Sequence, residues 1–194
     1  MSEGDRIDTV EQAREAMIDV CRILRDRGRI DLGDGSWIGL SLETAESLRR
    51  TAAAPYCRSP RGSATHSWGN VGGRTVKTEF RISILQGLSR SDFCACCAHE
   101  LGHVYQYRVD CPELPVLISE GLCELFKFTW YAGQGTEAAV TALRRLWANP
   151  DPVYGAGFRF VYPALLGRSL AGVMEHVAQF GHLPPAALGE TAHA

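Results

Sequence analysis

CCAHELGHVYQYRVDCPELPVLISEGLCELF, residues 96–126, joins two helical patterns through a proline-bounded turn. On a helix, positions four apart are separated by about 40° around the axis, so His99 and His103 project from one face a turn apart. Two imidazoles so placed can grip one metal ion. Glu100 lies about 100° around from His99, beside such an ion rather than on it, where a carboxylate can take a proton from water. The surroundings are helical and apolar, with Phe93, Ala95, Ala98, Leu101 and Val104 interleaved with the polar positions. Asp110-Cys111-Pro112 stops this helix near Arg108, and a second helix is expected over 116–131.

Upstream, the clearest strand is 76–84, where Val76, Phe80, Ile82 and Ile84 alternate with Lys77, Glu79, Arg81 and Ser83. Thr9 opens an amphipathic helix over 9–27, with Gln12 three residues on as a capping partner. Short strands are expected at 30–32 and 37–40, joined by Gly33-Asp34-Gly35, and a short helix at 43–50. Residues 55–73, rich in Pro and Gly, read as a loop whose His66 and Trp68 face a cleft. Beyond the second helix, 136–147 and 157–181 read as helical, broken before by Pro150-Asp151-Pro152 and weakened at Gly167 and Gly172. The expected fold is therefore α+β and zincin-like: a short N-terminal β-sheet, then a mainly helical half carrying the metal helix and a ligand helix. One domain is expected over 1–185, with a loose tail at 186–194.

Composition agrees with a folded enzyme-sized unit. The chain has 194 residues, of which 45% are hydrophobic and 22% charged, so neither disorder nor a membrane protein is indicated. Twenty basic residues are scattered against 22 acidic ones, which leaves no nucleic-acid footprint. No secretory signal and no membrane-length apolar run is visible, so a cytoplasmic location is expected. Seven cysteines, three of them crowded at Cys94, Cys96 and Cys97, read as reduced core thiols, and Cys123 likewise.

Zinc is the expected ion, because two histidines and a carboxylate with one open position is a catalytic zinc pattern. The metzincin extension requires Gly at 106 and His at 109, and the chain has Gln106 and Val109. The third ligand must come from elsewhere. Glu120 leads, since it stands early in the second helix beside Gly121, which permits close approach of helices. Glu124, one turn further, is the alternative and otherwise a carboxylate that orients a histidine. Glu113 sits in the turn between. Tyr154 and His176 are the candidates for stabilising an oxyanion, and Arg159 for holding a substrate carboxylate.

The same stretch, with ILQGLSRS before it and VYGAGFR and HVAQFGHLP after it, resembles the peptidase domain of the plant ubiquitin-activated LIM-domain growth regulators. The likeness spans about 36–185. It is densest over His99–His103, Glu120-Gly121 and residues 154–159. It implies a gluzincin-type zinc peptidase with Glu120 as third ligand, in a stand-alone, bacterial form without the LIM and ubiquitin-interacting regions. The expected activity is peptide hydrolysis through a metal-activated water with Glu100 as general base, on a peptide or protein substrate. Two other readings stand beside it: a zinc amide hydrolase tailoring a small peptide or amide metabolite, and a non-catalytic zinc-stabilised interaction module. The strand ending near Ile84 offers an edge on which an extended substrate could lie.

Overall fold

Thr9 accepts from Gln12 N while the Gln12 side chain accepts from Thr9 N, a reciprocal cap that starts helix α1 (Val10–Gly28). Its buried stripe is Ala13, Ala16, Met17, Val20, Cys21 and Leu24. The computed structural model describes residues 6–51, 60–72 and 74–185, so the expected tail at 186–194 and part of the expected loop, 55–59 and Gly73, lie outside the described residues.

The strand expected at 30–32 does not form. Arg29 turns left-handed at φ 59° and Ile30 N donates to Leu24 O, so Ile30 and Leu32 are buried as anchors of a turn instead. After it come β2 (Ile38–Glu43) and α2 (Ala45–Thr51). Arg14 fixes β2 to α1 by donating to the Gly35 and Ile38 carbonyls.

The larger correction concerns 62–71. Read as loop because of its glycines, this segment is strand β3 (Gly62–Val71), paired antiparallel with β4 (Arg74–Leu85). Glycine weakens a strand, but a hairpin partner with a buried inner face outweighs local propensity. The three-stranded sheet has the order β2-β4-β3, with β2 parallel to β4. The strand ending near Ile84 is therefore central, and it is β3 that carries the outer edge on that side. Paired positions put Ile38, Phe80 and His66 in one row across the sheet, then Leu40, Ile82 and Ala64, then Leu42, Ile84 and Gly62. Ile82 and Ile84 are fully buried on this face, and α1 and α3 pack against it.

A two-stranded pair, β1 (Arg6–Ile7) with β5 (Leu88–Ser89), leads into α3 (Arg90–Arg108), capped by Ser89 Oγ accepting from Asp92 N. Helix α4 (Val116–Gln134) runs back antiparallel to it, Gln106 meeting Ser119 at one end and His99 meeting Glu124 at the other. The two axes come close where a Cβ on Gly102 would lie 2.9 Å from Cys123 Cα. Then follow α5 (Glu137–Ala148), α6 (Tyr154–Val161), a 3-10 turn at Tyr162–Leu165 and α7 (Leu170–Phe180). The single helical stretch expected over 157–181 is broken at Gly167, φ 73°, whereas Gly172 sits inside α7 under the Ser169 cap.

The α4–α6 crossing is a backbone contact. A Cβ on Gly121 would stand 2.5 Å from Gly157 O, and one on Gly157 would stand 2.5 Å from Leu117 O. Only glycine at both positions permits this approach. Beside it, Phe128, Trp147, Phe158 and Tyr162 form an aromatic cluster. The architecture is α+β, a small sheet packed under a mainly helical body. Among the described residues, no helix is long and apolar enough to cross a membrane.

Candidate metal centre and cleft

The α3–α4 pair and the first residues of β3 enclose a cleft of about 540 Å³. His99, Glu100 and His103 line it from α3, Glu120, Glu124 and Lys127 from α4, and Tyr154 from α6. The helical spacing read from the sequence thus becomes a side-chain cluster on one wall. Glu120 Oε2 lies 3.0 Å from His99 Nε2 and 3.5 Å from His103 Nε2. Donors about 2.1 Å from a tetrahedral ion stand about 3.4 Å apart, and the two separations from Glu120 are close to that spacing.

A second donor set shares the histidines. His99, His103 and Cys123 offer donor atoms all within 4.8 Å of one another, a group that could hold a metal ion. Cys123 was read as core from sequence, and its thiol is indeed fully buried. It packs on Gly102, with Gln106 Nε2 donating to its Sγ at 3.0 Å. The sequence signal for it was its position, three residues beyond Glu120 and so about 60° round the same helix. Glu120 lines the cleft and Cys123 does not.

Glu124 holds His99 from behind: its Oε1 is 2.8 Å from Nδ1, while Nε2 faces Glu120. Lys127 in turn donates to Glu124 Oε1 at 2.5 Å. The other Glu124 oxygen, Oε2, is buried without a hydrogen-bond partner. Lys127 was not singled out from sequence, although 120, 124 and 127 follow one helical stripe.

Charge follows this geometry. Burial works against a charged His99, but its hydrogen bonds to the Glu120 and Glu124 carboxylates overcome it and push its pKa up to about 9. Glu124, although buried, is brought down to about 2 by the Lys127 ammonium and His99. Burial likewise opposes ionisation of Glu120, and the two histidines hold it well below the usual carboxylate range. Glu100 moves the other way. Burial raises it, and the neighbouring histidines offset only part of that rise. A carboxylate with a raised pKa beside a metal-competent pair suits proton transfer.

The remaining candidates separate. Tyr154 reaches the site, its ring centroid 5.7 Å from that of His99, because Asp151 Oδ1 accepts from Val153 N and Tyr154 N and so starts α6 at the cleft wall. The structure does not bring His176 to the cleft: it stands on α7, its ring against Phe180 and His182. Arg159 is committed to the Trp147 and Asn149 carbonyls at 3.1 and 2.7 Å. Glu113 is exposed in the turn before α4. Cys96, by contrast, does line the cleft, next to Gly62 and Glu100.

No protein-family profile, no curated protein and no solved structure is detectably similar to this chain.

Proposed function

We propose that this protein is a zinc-dependent metallopeptidase of the gluzincin type, with a zincin-like fold, in which His99, His103 and Glu120 hold the ion and Glu100 is the general base. The observation that carries it is the meeting of Glu120 Oε2 with both histidine Nε2 atoms, with buried Glu100 in the same cleft. Glu120 is preferred to Cys123 as third ligand because it faces the cleft that a substrate must enter. The resemblance to the plant peptidase domain supports the same assignment. An ion so held supplies Lewis acidity for a water and for the carbonyl it attacks.

The residues of the chain do the rest. Glu124 fixes the His99 tautomer and presents Nε2 to the site. Glu100 takes a proton from the attacking water and delivers it to the departing amine. Tyr154, which lines the cleft with its ring 5.7 Å from that of His99, is the residue assigned to stabilise the oxyanion. The outer edge of β3, whose Gly62, Ser63 and Ala64 line the cleft, offers main-chain hydrogen bonds to an extended peptide.

Cys123 favours a second reading. Four protein donors, His99, His103, Glu120 and Cys123, could close the sphere of a structural ion in a non-catalytic module. Cobalt substitution separates the two. A charge-transfer band near the ultraviolet reports thiolate on Co(II), and its presence together with absent hydrolysis supports the closed module. The peptidase reading expects no such band, one zinc per chain, cleavage of a quenched-fluorescent peptide library, loss of cleavage on chelation and its return with zinc. Cleavage that persists in fully metal-free protein overturns it. Profiling acyl-amino compounds and folded proteins beside short peptides distinguishes a tailoring amide hydrolase from a protease.

A further inference from the structure

Five aromatic rings lead outward from the candidate metal centre. Tyr107 follows His103 by one turn of α3, its ring lying nearly parallel with the imidazole, centroids 6.4 Å apart at 21°, and it lines the cleft. His66, on the inner face of β3, rests against Tyr107 at 4.3 Å. Trp68 meets His66 edge-on at 5.3 Å. Phe80 supports His66 from the neighbouring strand at 6.5 Å, and Trp37 meets Phe80 edge-on at 5.4 Å. The chain of rings begins at a candidate ligand and ends in solvent, where Trp68 is 59% exposed.

This shelf follows β3. Gly62 lies against Glu100 and His66 against Tyr107, so the strand travels along α3 from the general base to the shelf. At about 3.3 Å per residue, a peptide paired with β3 would pass over His66 and Trp68 roughly four to six residues from the point where Gly62 meets Glu100. Antiparallel pairing is the slightly more stable arrangement. A peptide running antiparallel to β3 goes from Trp68 towards Gly62, which lays its N-terminal part on the shelf.

We propose that Tyr107, His66 and Trp68 form a binding subsite for an aromatic or large aliphatic side chain on the N-terminal side of the cleaved bond, so that the enzyme selects apolar peptides there. Its continuity with the cleft through Tyr107 identifies the occupant as substrate. The proposal rests on the peptidase reading for the cleaved bond, but the shelf itself is tested by binding.

The test uses zinc-loaded Glu100→Gln protein and blocked octapeptides of Gly and Ser carrying one Phe, walked through every position, with affinities by calorimetry. Phe at one or two adjacent positions should tighten binding about tenfold over the Phe-free peptide. Adding Trp68→Ala should remove most of that gain while the Phe-free peptide binds as before, and Trp68→Phe should keep it. Affinity that does not depend on Phe, a preference unchanged in Trp68→Ala, or no binding of any peptide overturns the subsite. Wild-type protein given the best-bound peptide tests the other claim: cleavage should place Phe N-terminal to the cut. A Trp68-dependent preference without cleavage leaves the subsite standing and removes the peptidase reading. Cleavage without that preference does the reverse.

Discussion

Glu124 Oε1 lies 2.8 Å from Nδ1 of His99, on the far side of the ring from Glu120. One imidazole is thereby held between two carboxylates, one within reach of an ion and one behind. A carboxylate behind a ligating histidine fixes its tautomer and raises its basicity. Glu124→Gln should lower zinc affinity about 10- to 100-fold without moving the fold, read by competition with a chelating dye. Unchanged affinity would mean that Glu124 does not orient His99.

The same pair gives the metal-free protein a pH dependence. His99 has a folded-state pKa of about 9, above its unfolded value, so its contribution to stability is complete below about pH 6.5 and is lost as pH rises through 9. Glu124, lowered to about 2, contributes fully above about pH 4.5 and loses that contribution as pH falls toward 2. Urea denaturation of metal-free protein should therefore show stability declining from pH 7 to 9.5, and zinc should flatten that decline because metal and proton compete for His99. A flat metal-free profile over this range contradicts the pairing.

Gly121 and Gly157 set how closely α6 approaches the ligand helix. Gly121→Ala puts a methyl group 2.5 Å from Gly157 O, which the backbone can relieve only by moving apart. The expected cost is about 1–3 kcal/mol by chemical denaturation. Tyr154, carried on α6, should be displaced with it, so activity should fall in zinc-loaded protein that remains folded. Wild-type stability in Gly121→Ala would show the crossing to be looser than described.

How much of this was legible in the sequence depends on distance along the chain. The cap at Thr9, the α3 and α4 helices and the strand around Ile82 are local patterns, and each forms where its period places it. The meeting of Glu120 with His99 and His103 was also within reach, because a short turn forces α4 back along α3. Strand β3 was not. Its glycines and the prolines before it are loop signals, and its pairing with β4 depends on packing against α3 that no local window contains. Ile30 and Leu32 misled in the opposite sense, since alternation over three residues fits an anchored turn as well as a strand. His176 and Tyr154 could not be separated by sequence, because that depends on how α6 and α7 are placed around α4.

Cys123 is the donor that sequence assigned to the core and the structure sets beside the histidines. If Glu120 is the third ligand, Cys123→Ser should retain zinc at one per chain with an affinity within about threefold of wild type, whereas Glu120→Gln should lose at least tenfold. Chelator competition on both variants decides between the donor sets. The opposite order, with Cys123→Ser the more damaging, would assign the thiol to the ion.

The general-base assignment of Glu100 is the centre of the account, and the Glu100→Gln protein at full zinc loading tests it most directly. Glutamine keeps the shape of the buried side chain and removes the group that accepts the proton, so zinc content and thermal unfolding should match wild type. Initial rates on a quenched-fluorescent peptide should fall by about 10²- to 10⁴-fold. Hydrolysis at the wild-type rate by the zinc-loaded Glu100→Gln protein would contradict the account.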